Sequence, residues 1–241
     1  MLRGRARRAA VSVLVAALTG VLAAGCGRGS SGGDGTSDKK PERFANSGQL
    51  PEHLAADGTT VVVGSSKADT VVRLYEDLRC PVCRDFEEDG GAGALRKMTL
   101  HGEVTTEYTL ASFLDDRLGG KGSKKAANAL RAALEQGKFV EYHDLLFQEQ
   151  PEEAVDGYTD AFLLRMASRV KGLRGAEFDA AVKGMKYRSF VTASEKAFEA
   201  DKASGTPAFA VDGTLLKKDW WNLMFDAESV PLVVRMAVVS N

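Results

Sequence analysis

Cys80 and Cys83 stand three positions apart in the run Cys80-Pro81-Val82-Cys83, a spacing that puts two sulfurs on one turn of a helix. A pair so placed can exchange disulfides with another molecule: one sulfur is attacked, and the second resolves the mixed disulfide that forms. Pro81 suits the first helical position, where its missing N–H costs nothing, so a helix is expected to begin there. Cys80 would then feel the positive end of the helix dipole and unpaired N–H groups, which favour its thiolate. Cys83, one turn further in, would be shielded. Cys80 is thus the candidate nucleophile and leaving group, and Cys83 the candidate resolving thiol.

Two other chemistries use the same spacing. A zinc site needs four ligands, and His53, His101 and His143 show no ligand spacing relative to one another, so no metal is expected. A static disulfide across so short a loop would constrain the unfolded chain little, which makes stapling a weak reason to have one. Exchange between sulfurs needs no further cofactor, and none is expected.

The elements that must position the pair are legible on both sides of it. Thr60 to Val63 and Val71 to Tyr75 are β-branched or aromatic runs and read as strands, the second leading directly toward Cys80. Val104 to Leu110 is a further strand, and the order strand, helix, strand suggests a parallel crossover. From about 119 to 200 the pattern turns helical. Ala126, Leu130, Ala133 and Leu134 form one stripe, and Phe139, Tyr142, His143, Leu146 and Phe147 form another, with Gly137 between them. Helical stretches follow near Ala161 to Val170, Phe178 to Met185 and Phe190 to Phe198. Strand character returns in Gly205-Thr206-Pro207-Ala208-Phe209-Ala210-Val211, and Asp212-Gly213 before Thr214-Leu215-Leu216 signals a hairpin. A helix from Ser229 to Val238 ends the pattern, with Pro231 in its first turn.

The N-terminal region has a different composition. Four arginines and no acid precede an uncharged run from Ala9 to Gly25, which reads as an export signal over residues 1–25. Arg7-Arg8 also admits a twin-arginine route. Leu22-Ala23-Ala24-Gly25-Cys26 resembles a bacterial lipobox, although Ala23 stands where the pattern has leucine and Leu22 lies one position further back. That resemblance implies lipidation of Cys26, which would become the mature N-terminus. Residues 26–56, rich in Gly, Ser and charge, are expected to form a flexible tether. Without the four arginines the mature chain carries 28 basic and 33 acidic side chains, and nothing argues for nucleic acid.

In its combination of features the sequence resembles the DsbA-like branch of the thioredoxin superfamily over about residues 57–241. The matching elements are the strand ending Leu74-Tyr75-Glu76-Asp77, Cys80-Pro81-Val82-Cys83 at a helix start, the helical stretch from Gln136 to Phe147, and Gly205 to Gly213. The resemblance implies an α/β protein with the thioredoxin fold and a helical insertion domain. It implies a cis Thr206–Pro207 bond beside the Cys80 sulfur, with the Thr206 backbone pairing with an extended substrate peptide near Pro81 and Val82. The activity implied is oxidation of cysteine pairs in exported proteins, with a membrane redox partner to restore the disulfide, at the outer face of the bacterial cytoplasmic membrane. A reductase or isomerase, or a peptide-binding lipoprotein without catalysis, would use the same fold.

Two departures from the family pattern bear on strength and direction. Val82 stands where strongly oxidising relatives carry a thiolate-stabilising histidine, which points to a milder oxidant. Leu74 occupies the position, six before the first cysteine, where many relatives keep a buried acid. Glu76 and Asp77 alternate to different sides of their strand, and solvation is the ordinary fate expected for either. His143 is expected to be a packing residue on its apolar stripe, and Trp220 and Trp221 to pack against the core or a subdomain.

Overall fold

The computed structural model describes residues 41–240. The expected export signal and Cys26 lie outside the described residues.

Order begins earlier than the composition suggests. The expected tether runs to residue 56, yet β1 (Glu52–Leu54) pairs antiparallel with β2 (Thr60–Val63), and the Phe44 N–H donates to Leu100 O at 2.8 Å. Glu52 explains why this polar stretch is held. Its carboxylate accepts from the N–H groups of Phe139 and Val140 at 2.6 and 3.2 Å, capping a helix more than eighty residues away in sequence.

β3 (Thr70–Asp77) leads into α1 (Pro81–Glu88), then α2 (Ala92–Leu100), and the chain returns as β4 (Val104–Ala111) parallel to β3. This is the crossover expected from the strand and helix order. α3 (Leu114–Leu118), α4 (Gly122–Leu134), α5 (Phe139–Gln148), α6 (Asp160–Ala167), α7 (Ala176–Lys183) and α8 (Arg188–Ala200) then follow without an intervening strand. α8 comes back to the sheet, where Ser194 Oγ accepts from the Leu110 N–H at 3.0 Å. The chain closes with β5 (Ala208–Val211), β6 (Thr214–Leu215), α9 (Lys218–Leu223) and α10 (Val230–Ser240).

The six strands lie in the order β1-β2-β4-β3-β5-β6. β3 is therefore interior, flanked by parallel β4 and antiparallel β5. Asp212 and Gly213, with φ of 46° and 81°, form the turn between β5 and β6, where positive φ at both central positions matches the twist of a two-residue hairpin. The core includes Leu74, Leu78, Phe86, Leu110, Phe139 and Phe209, all sealed from solvent, each contributing about 1.5–3 kcal/mol by leaving water.

Candidate active site

Cys80 is the residue before the first turn of α1, with Pro81 at the first helical position. Its sulfur is nearly covered, at 6% residue exposure, and Cys83 is fully buried at 0%. Both are thiols in this structure. Pro81 and Val82 are exposed between them. The Cys80 thiol donates to the Thr206 carbonyl at 3.3 Å, across 126 residues of chain. The Thr206–Pro207 peptide is cis. The six residues that the sequence singled out for the site, Cys80, Pro81, Val82, Cys83, Thr206 and Pro207, thus lie at one place.

Long-range contacts from outside the motif hold the turn. Gln150, just past α5, donates from Nε2 to both Leu78 O and Cys80 O at 2.9 Å. Trp221 in α9 donates from Nε1 to Pro207 O at 2.6 Å and lines, with Thr206, Pro207, Phe209 and Leu216, a cleft of about 390 Å³. The tryptophan pair is half-buried against the core as expected, and Trp221 has this further polar contact.

The two sulfurs differ electrostatically. The Cys83 thiol facing Cys80 favours the Cys80 thiolate, and the Thr206 side chain and the Cys83 and Val82 N–H groups add to this against burial, bringing its pKa down to about 7. Burial pushes Cys83 well above the ordinary thiol range, and the Cys80 sulfur and Glu76 push it further. At neutral pH Cys80 is the sulfur that ionises.

Glu76 and Asp77 are not solvated. Both are completely buried, because β3 is an interior strand and both of its faces are covered. Asp77 accepts from the Arg79 N–H, Ser123 Oγ and the Leu114 N–H at 3.0, 2.6 and 3.1 Å. Burial outweighs these bonds and raises its pKa to about 6. Arg79, also buried, donates to Asp115, Gly119 O and Glu153 O. On the other face, Glu76 Oε2 lies 2.9 Å from His143 Nε2. His143 packs against Tyr108, Phe139 and Phe147 as its apolar stripe predicts, and its ion pair with Glu76 is an addition to that role. Glu76, Glu87 and His143 offer ligand-type atoms within 4.8 Å of one another, the one such grouping of three among the described residues.

Residues 56–223 match the family described as thioredoxin. The chain belongs to the thioredoxin family. Its fold is that of the DsbA-like members. BdbD from Bacillus subtilis, in its oxidised form, superimposes with a TM-score of 0.64 at 20% identity, covering 76% of this chain and 95% of that one. DsbA from Mycobacterium tuberculosis, in its reduced form, gives 0.58 at 23% identity, with 74% and 99% covered. MdbA, a thiol-disulfide oxidoreductase from Actinomyces oris, gives 0.61 at 21% identity, with 79% and 90% covered. Among curated proteins, the Na⁺/H⁺ antiporter NhaA 3 of Salinispora tropica is 31% identical over 156 residues, which are 63% of this chain. The match spans only 21% of the antiporter's length.

Within this thioredoxin-family site, sequence reasoning missed Gln150, Trp221, Arg79, Glu87 and the pairing of Glu76 with His143. A partial signal existed for one of them: His143 sits on an otherwise apolar stripe, and a histidine sealed there needs a polar partner. Gln150 and Trp221 had none, since their partners are main-chain carbonyls set by folding.

Proposed function

We propose that this chain is an exported thiol–disulfide oxidoreductase that oxidises cysteine pairs of other exported proteins through a Cys80–Cys83 disulfide. The observation that carries the reading is the asymmetry of the two sulfurs at the Thr206–Pro207 segment: one at a helix N-terminus with a pKa of about 7, the other sealed and pushed well above its ordinary value.

In the oxidised protein a substrate thiolate attacks Cys80 Sγ. The Cys80–Cys83 bond breaks, its electron pair goes to Cys83, and the sealed Cys83 sulfur takes up a proton because burial disfavours its charge. The substrate's second thiolate then attacks the substrate sulfur of the mixed disulfide. Cys80 leaves as a thiolate, which a pKa near 7 makes a good leaving group. The substrate has lost two electrons and gained a disulfide, and the protein is left as a dithiol for a membrane redox partner to reoxidise. The Thr206 backbone pairs with an extended substrate, and the exposed Pro81 and Val82 border its path. Support for export and for a lipid anchor at Cys26, on the outer face of the cytoplasmic membrane, comes from residues 1–26. Among the described residues no helix is long and apolar enough to cross a membrane.

The test is covalent trapping. With Cys83→Ala, mixed disulfides with exported proteins should accumulate on Cys80, and Cys80→Ser should abolish oxidation of a reduced, unfolded protein. A Cys80→Ser variant as active as the parent would end the proposal. Val82 favours a second reading, in which electrons run outward and the protein reduces or isomerises disulfides. Trapping the thiol state in intact cells separates the two, because a largely reduced pair contradicts the oxidase.

A further inference from the structure

α10 is apolar on two faces. Val230, Val233, Val234 and Ala237 are buried against the core. Leu232, Met236 and Val239, at spacings of four and three, form a second stripe that is 59%, 45% and 88% exposed. Large apolar side chains in a row on an outer helix face mark an interaction surface.

Of this stripe, Val239 is placed by a cleft at the start of β3 and β4. A cleft at the C-terminal half of α10 is lined by Val238, Val239 and Arg235 together with Thr70 and Val104, the first residues of β3 and β4. Cys80 follows the other end of β3. Eight strand residues at about 3.3 Å each separate the two ends by roughly 25 Å. The described chain also enters at the α10 end. The Glu42 carbonyl packs so closely on Gly102 that a Cβ there would lie 2.2 Å away, and the neighbouring Glu103 meets Arg235 of α10 at 3.6 Å. Only 14 residues, 27 to 40, separate Cys26 from Pro41, so even full extension at about 3.5 Å per residue allows roughly 50 Å.

We infer that the Leu232, Met236 and Val239 face of α10 docks on the lipid bilayer, seating the domain with its Cys80 end pointing away from the membrane. The inference rests on the proposed lipid anchor at Cys26, whose connecting chain joins the described residues at this end of the domain. The apolar side chains enter the level of the headgroups, with the exposed Arg43 and the Glu103-paired Arg235 at the same end beside Glu42. A substrate emerging into the extracytoplasmic space would then find Cys80 open to it.

The test uses the full chain, lipidated, in vesicles of phosphatidylglycerol and phosphatidylethanolamine. In a Cys80→Ser/Cys83→Ser background, an environment-sensitive fluorophore is placed through Val239→Cys or, at the opposite end, through Val82→Cys. The expected result is a blue-shifted emission at position 239, quenched by lipid-borne nitroxides, with position 82 remaining aqueous. Emission at 239 that stays aqueous on vesicle-bound protein overturns the docking and leaves the exchange chemistry untouched. Burial of 239 that needs no vesicles and grows with protein concentration identifies a second copy as the occupant, and also overturns it. If the chain is not lipidated, the anchor reading fails by itself. The unlipidated protein is then titrated with the same vesicles: partition that falls about tenfold or more in Leu232→Gln/Met236→Gln supports the face, and no partition at any lipid concentration overturns it. Exchange activity in solution, unchanged in that double variant, shows that it is folded.

Discussion

Glu76 and Asp77 are neighbours on β3, and they open two buried polar clusters of different quality. On the Asp77 side every oxygen and nitrogen of Asp77, Arg79, Asp115 and Ser123 side chains has a hydrogen-bond partner, several of them main-chain groups at the starts of α3 and α4 and in the loops after α3 and α5. On the Glu76 side, Glu76 Oε1, Glu87 Oε1 and His143 Nδ1 are buried without a hydrogen bond. His143 Nδ1 lies 3.6 Å from Asp144 Oδ1, too long for one. The contrast separates two uses of buried charge. A fully satisfied network fixes geometry, here the junction that delivers Cys80 to its helix. An incompletely satisfied one keeps protons and field, and its Glu76 is among the groups that hold Cys83 above the ordinary thiol range.

The largest effect should come from breaking the satisfied network. Arg79→Met removes the partner of buried Asp115 and leaves its charge uncompensated, which should cost about 3–5 kcal/mol, read from urea unfolding. A loss below about 1 kcal/mol would show that the network is ornamental to stability and undo the contrast.

The next effect belongs to Glu76 and depends on pH. Burial disfavours charge on His143, but Glu76 and Asp144 more than offset it and raise its pKa to about 10 from 6.5. A pKa raised on folding stabilises fully below about 6.5, and that stabilisation is lost as pH rises through about 10. Glu76→Gln should therefore cost about 2 kcal/mol near neutral pH, with the gap to the parent closing toward pH 10. Parallel stability curves for parent and variant would contradict the ion pair.

The same substitution sharpens the comparison at the thiols. Removing the Glu76 charge should lower the Cys83 titration midpoint, whose elevation comes first from burial and then from Cys80 and Glu76, as followed by thiolate absorbance. Arg79→Lys, acting through the other cluster, should leave that midpoint where it was. Equal shifts from both would erase the distinction drawn between them.

The smallest effect is expected at Glu87. Burial first, and then Glu76, raise its carboxyl well above the ordinary range, which favours its neutral form. An amide of the same shape is then a near match, and Glu87→Gln should change stability by less than about 1 kcal/mol at pH 7. A larger loss would mean that Glu87 is ionised and that the cluster carries one more negative charge than its geometry assigns.

Legibility in the sequence followed the range of the interaction concerned. The Pro81 helix start, the Asp212-Gly213 hairpin and the alternation of Val104 to Leu110 are local signals, and all three elements form where they were expected. The helical stripes of α4 and α5 were equally plain, being internal to each helix. β1 was missed, since a three-residue strand in a polar stretch carries no periodicity and is held by pairing with β2 and by Glu52 capping α5. Glu76 and Asp77 were misjudged for a related reason. Alternation says that they point to opposite faces, and it does not say that both faces are covered.

The sequence by itself marked the candidate reactive pair and its helix, because both rest on local residue chemistry, while the Thr206-Pro207 segment was set beside them only by the family resemblance. The tertiary structure decided how completely each sulfur is covered, which carboxyls are buried, and that Gln150 and Trp221 hold the main chain beside Cys80. Burial and long-range hydrogen bonds depend on what the rest of the chain places against a residue. A thiol's identity can be read along one strand of text, but its pKa is set by everything folded around it.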